Sequence, residues 1–170
     1  HSDNTTNLFL GKDAGRVNNV SGVSIQGLHN TFIGSGAGYS NTIGHDNSAL
    51  GVNALVSNTT GDNNTAQGAF TFQLNTTGNN NTAQGVAALF YNTTGSNNAA
   101  QGLNALYSNT TGSRNSAQGL SAGAYIADGT TANATSNTSL YLGADTKALA
   151  DGGANEIVIG FNAIGVGSNS

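Results

Sequence analysis

The sequence predicts an all-β solenoid, and three observations predict it. Glycine and asparagine recur in fixed columns every 17 residues, short phrases alternate as strands do, and large apolar side chains are scarce. Of 170 residues, 25 are Gly, 36% are hydrophobic and only 7% are charged, while Pro, Cys, Met and Trp are absent. Many of the hydrophobic residues are alanines, so a compact monomer has little apolar volume to set against chain entropy. Low hydrophobicity alone would suggest disorder. The strict period argues instead for stacked order.

The period is carried by several columns. Gly27, Gly44, Gly61, Gly78, Gly95 and Gly112 lie 17 residues apart, and so do Gly34, Gly51, Gly68, Gly85, Gly102 and Gly119. Asn30, Asn47, Asn64, Asn81, Asn98 and Asn115 form a third column, and Asn41, Asn58, Asn75, Asn92 and Asn109 a fourth. A small-residue column runs Ala37, Ala54, Thr71, Ala88, Ala105 and Ala122. Such a period is too short for helix-pair repeats or a propeller blade. It fits one solenoid coil of two short strands and two turns, each glycine permitting positive φ or close approach to a neighbour.

The organisation along the chain is one repetitive unit over residues 1–170. Regular coils span 24–122, an insertion covers 127–137 (ADGTTANATSN), and final coils fill 138–170. NLFLG (7–11), NTFIG (30–34), SLYLG (139–143) and NEIVIG (155–160) share one strand phrase. Alternation sends Leu8 and Leu10, or Ile157 and Ile159, to a single face. In the central coils the inward positions become either Thr65/Gln67, Thr82/Gln84, Ala99/Gln101 and Ser116/Gln118, or the alanines Ala66, Ala83, Ala100 and Ala117. A second strand reads as the better apolar wall, stacking Leu55, Phe72, Leu89 and Leu106 in one column and Val52, Ala69, Val86, Leu103 and Leu120 in another. One large apolar residue per strand makes a thin core, and an oligomer is therefore expected to supply the missing burial.

Charge and composition exclude several function classes. The net charge is −4, with Lys12, Arg16, Arg114 and Lys147 the cations, which argues against nucleic acid as partner. No apolar run is long enough for a membrane helix, and thiolate metal sites are impossible without Cys. The start lacks an initiator Met and a signal peptide, which reads as a segment of a longer protein with His1-Ser2 as a cloning remnant.

The phrases NTFIGSGAGYSN (30–41), NSALGVNAL (47–55) and NEIVIGFNAIGVGSNS (155–170) resemble the repeats of trimeric fibre proteins. These include head domains of trimeric autotransporter adhesins and phage tail fibres carrying a C-terminal auto-cleaving chaperone of the endosialidase type. The resemblance implies a parallel homotrimer of β-rolls or interwound β-helices, extracellular, on a bacterial cell surface or virion. It further implies that the chaperone lies just beyond residue 170. Autotransporter heads repeat at a shorter interval with Ile or Val inward, whereas this chain carries Thr and Gln at the corresponding positions. The implied partners are the chain itself and a cell-surface glycan or protein receptor.

No enzyme motif, cofactor or metal site is expected. Asp3, Asp13, Asp46, Asp62, Asp128, Asp145, Asp151 and Glu156 are scattered singly, whereas a glycosidase needs two carboxylates converging across a cleft. His29 and His45 sit beside Asp46 at equivalent turns of adjacent coils, with a metal or acid/base pair as the functional reading and exposed turn residues as the plain one. Sequons at Asn4, Asn58, Asn75, Asn92 and Asn109 read as turn residues rather than glycosylation sites. Thr59, Thr76, Thr93 and Thr110, with Thr60, Thr77, Thr94 and Thr111 beside them, raise an ice-binding alternative, but neighbouring residues face opposite ways. Tyr91, Tyr107 and Tyr125 cluster near the insertion and are the candidate ligand-binding residues, since aromatic faces suit sugars and loops carry recognition. The expected function is adhesion by a surface fibre, against a passive spacer, a polysaccharide-degrading tailspike or an ice-binding solenoid.

Overall fold

The computed structural model describes residues 6–18 and 27–167. Asp3, the sequon at Asn4, the His1-Ser2 pair, the first residues of the regular register (24–26) and the last three residues lie outside it. Nine three-residue strands form a single parallel sheet in sequence order: β1 (Leu8–Leu10), β2 (Thr31–Ile33), β3 (Ser48–Leu50), β4 (Thr65–Gln67), β5 (Thr82–Gln84), β6 (Ala99–Gln101), β7 (Ser116–Gln118), β8 (Leu140–Leu142) and β9 (Ile157–Ile159). The chain is therefore an all-β parallel solenoid of roughly 17-residue coils, with no helix among the described residues. Eight steps at a strand spacing of about 4.8 Å give a rod near 40 Å long.

The register stacks equivalent residues. Ala49, Ala66, Ala83, Ala100 and Ala117 pair in succession along β3 to β7, and all five are buried. The alanines, not the Thr and Gln residues, thus point inward. The expectation that Leu8/Leu10 and Ile157/Ile159 turn to the interior is also corrected: they are 53–63% exposed. Between Ile157 and Ile159, Val158 is buried, as is Tyr141 at the centre of β8. A strand centre fits inside because it meets its counterpart at one-residue width. Two side chains per strand would overfill so narrow a coil.

Each strand ends at a glycine that turns the corner. At Gly85 φ is +130°, and a Cβ there would lie 2.4 Å from the Gly102 carbonyl oxygen of the next coil. That conformation and that approach both require glycine. From Gly44 to Gly112 the other glycine column has no positive φ and is fixed by proximity alone. A Cβ on Gly78 would meet the Gly95 carbonyl oxygen at 2.4 Å and Asn75 Oδ1 at 2.5 Å.

Beyond the corner, the expected second strand is instead a run of turns. Left-handed residues recur at every second position, as at Ala87 (φ 56°) and Leu89 (φ 52°), or Phe70 (φ 59°) and Phe72 (φ 54°). This alternation sends the N–H groups in opposite directions. Ala87 donates back to the Ala69 carbonyl (3.0 Å), and Leu89 donates forward to the Ala105 carbonyl (3.0 Å). Positive φ is costly for a bulky residue, about 1–3 kcal/mol. Burial of the same side chain returns a similar amount, because Leu55, Phe72, Leu89 and Leu106 are at most 1% exposed. The neighbouring column does not join that wall. Val52, Val86, Leu103 and Leu120 are 45–49% exposed and face outward.

Asparagine completes the interior. Asn75 Nδ2 donates to Asn58 Oδ1 (2.8 Å) and to the Gly78 carbonyl (3.1 Å), while Asn75 Oδ1 accepts from Asn92 Nδ2 (2.8 Å). In the other column, Asn81 N donates to Asn64 Oδ1 (3.1 Å), and Asn81 Nδ2 donates to the Gly95 carbonyl (2.9 Å). Both ladders are buried along their length. The shortage of apolar volume is met by amides that satisfy one another, as buried polar groups must. The pattern falters after the seventh strand, where the buried Asn133 Oδ1, Ser136 Oγ and Glu156 Oε2 have no partner in the protein.

Candidate functional site

Two of the three tyrosines expected to bind a ligand, Tyr91 and Tyr107, pack together at one corner of the rod. Phe90 and Tyr107 occupy the same column one coil apart, and Tyr91 follows Phe90 in sequence. The rings of Tyr91 and Tyr107 pack edge to face at 5.1 Å. Phe90 lies 4.8 Å from Tyr91 and 5.3 Å from Tyr107. Loss of surrounding water raises the Tyr107 hydroxyl above its usual value, with its hydrogen bond to Tyr91 and the charges of Tyr91 and Tyr125 adding to it. Tyr125 starts the hairpin beside the three rings and forms no ring pair with them. Tyr91 remains 41% exposed, so part of the cluster faces solvent. Phe90 is the member that sequence reasoning missed. At the two preceding rungs its column carries Val56 and Gln73, so no run of aromatics leads into it.

The insertion rises beside this cluster. Tyr125 pairs antiparallel with Ala132, and Ile126 N donates to the Thr131 carbonyl (3.0 Å), which makes a small hairpin. The interval from Gly119 to Gly143 is 24 residues, seven beyond the usual 17. Those extra residues project around 126–132, whereas Asn133 and Ser136 are buried within the coil. At the tip, Asp128 accepts from the Thr131 hydroxyl (2.5 Å), Thr131 N (2.7 Å) and Thr130 N (2.8 Å). Thr131 above all holds its carboxyl down at about 2.

The other candidates resolve into structural roles or local clusters. Sequons at Asn58, Asn75, Asn92 and Asn109 are 0–1% exposed, with their amides donating along the stack. A glycosyltransferase could not reach them. The Thr59 column spends its hydroxyls internally, Thr59 Oγ1 donating to the Thr76 carbonyl (3.0 Å) and Thr76 Oγ1 to the Thr93 carbonyl (3.1 Å). The Thr60 column is exposed.

His29, His45 and Asp46 do meet, joined by Asp62. Asp46 lies 3.0 Å from His29 Nδ1 and 2.8 Å from His45 Nδ1, and His45 Nε2 lies 3.4 Å from Asp62 Oδ2. Asp62 Oδ1 accepts from His45 N (2.9 Å), so that carboxylate also fastens two coils together. Among the described residues, no group of three or more His, Asp or Glu side chains is arranged to hold a metal ion. A shallow depression of about 210 Å³ lies on the outer strand face, lined by Thr82, Gln84, Ala99, Gln101, Ser116 and Gln118, with no carboxylate on its walls.

Comparison of the chain with protein-family models, curated proteins and solved structures returns no significant match.

Proposed function

We propose that the chain is a non-enzymatic segment of a trimeric surface fibre that adheres to cell-surface glycans through its aromatic corner. The observation that carries this reading is the partly exposed cluster of Phe90, Tyr91 and Tyr107 beside a projecting hairpin that begins at Tyr125. Elsewhere the repeats spend their polar groups on one another, which is the behaviour of a scaffold. Sugar rings stack on aromatic faces, and loops that break a regular scaffold commonly carry recognition. The homotrimer, its bacterial or virion surface location and its extracellular setting belong to this proposal and follow from the resemblance described above.

The test is a glycan array with whole-cell binding, comparing the native chain with a Tyr91→Ala/Tyr107→Ala variant. Tyr91 is exposed and Tyr107 half-buried, so the rod should survive the change, as circular dichroism would verify. Binding that falls tenfold or more supports the aromatic corner. Silence of the native chain on every glycan and cell type would favour the passive spacer.

A further inference from the structure

One side of the rod is unlike the others. Next to the outer strand face runs the column that follows each corner glycine, with Val52, Val86, Leu103 and Leu120 at 45–49% exposure. The strand face itself adds Leu50 at 51% and Ile159 at 61%. Within these three columns Lys12 is the only charged residue among those described. The far side is polar, with exposed Thr60, Thr77 and Thr94 and exposed Asn63, Asn80 and Asn97. On the first side, Ser35 and Ala69 interrupt the column after the corner glycines and Thr and Gln fill the central strand face, so it is an interrupted stripe of apolar knobs among uncharged polar residues. Apolar residues concentrated on one side of a rod mark an interaction surface.

We infer that this strand face is where copies of the chain pack on one another, parallel and in register; the inference rests on the homotrimer proposed above. Three arguments favour a second copy as the occupant. The knobs follow the coil rise, with rungs missed at Ser35, Ala69 and Ala144, and a surface of the same spacing is the one that meets all of them together. The stripe is about 17 Å wide and 40 Å long, roughly 650 Å², which approaches the ~800 Å² per partner of a stable interface. Orientation is set by the column ends. In parallel register Leu50 meets Leu50 and the Gln84, Gln101 and Gln118 ladder meets its own copy. Reversed, Leu50 would face Gln118 and Lys12 would face Phe161.

The chain has no Cys, so engineered thiols report contact directly. Light scattering would compare the native chain, a Leu103→Glu/Leu120→Glu variant and a Thr94→Glu control on the polar side. The expected result is a native species near three times 16.9 kDa, a control of equal mass, and a double variant reduced to one chain with unchanged circular dichroism. Oxidation of Leu50→Cys should give linked pairs on denaturing gels. A double variant as large as the native oligomer would overturn the assignment of this face while leaving the trimer standing. A native chain that stays monomeric at high micromolar concentration would remove both. Linkage between separately made Leu50→Cys and Gln118→Cys chains, with none within Leu50→Cys alone, would overturn the parallel register.

Discussion

At the scale of the residue, the fold depends on asparagines that have the environment of leucines. Asn75 makes three ladder hydrogen bonds in a site from which water is excluded. Replacing it by Ala strands Asn58 Oδ1 and one amide proton of Asn92, while the Gly78 carbonyl keeps its bond from Asn64 Nδ2. Each stranded buried group costs about 1–3 kcal/mol. Asn75→Ala should therefore lower stability by about 3 kcal/mol in urea unfolding, whereas Thr77→Ala on the exposed side should cost under about 1 kcal/mol. Equal effects would contradict the ladder. Gly85→Ala should be at least as damaging, about 3 kcal/mol or more, because it adds left-handed strain to a Cβ contact with the Gly102 carbonyl. The asparagine columns were plain in the sequence, but their burial was not. Asn is ordinarily a turn residue, and only the closed coil reveals that its amide has a neighbour above and below.

At the scale of the element, the strands were legible and the wall opposite them was not. Alternation in NLFLG and NEIVIG marks extended backbone, yet it leaves open which of the two faces turns inward. The central coils, where small Ala sits between Thr and Gln, turn the smaller residue in. The second apolar segment reads as a strand because Leu and Val are spaced in it. Positive φ at Leu55, Phe72, Leu89 and Leu106 carries no signature in residue type, so it could not be foreseen. The tyrosine cluster was visible from its crowding in sequence, whereas Phe90 was hidden by a column that varies. The hairpin after Tyr125 carries its own prediction. Asp128 titrates at about 2 in the folded chain, below the ordinary carboxylate range. Its contribution to hairpin order is therefore complete above pH 4 and disappears as pH falls through 2. Carboxyl chemical shifts read by NMR should show that midpoint, and Asp128→Asn should loosen residues 128–131 while the coils stay intact. A midpoint near 4 would contradict the cap.

At the scale of the whole molecule, stability is a sum over neighbouring coils, since each coil touches only the one before and the one after. Burial raises the Tyr141 hydroxyl above its usual value, with the charge of Glu156 adding to it against the bond from Asn133. A raised folded value means that this tyrosine supports the fold fully below pH 10 and loses that support as alkali ionises it. Absorbance titration should find one tyrosine that ionises only as the coils open, and Tyr141→Phe should remove that alkaline step. The corner glycine and the two asparagine ladders supply a further consequence. Every rung is interchangeable with the next, so the rod behaves as a graduated ruler. Excising residues 58–74 should leave a folded protein of unchanged girth, shorter by about 4.8 Å, as small-angle scattering would measure. Seventeen codons gained or lost by unequal recombination would then reset the length of such a rod, with no other alteration to its design.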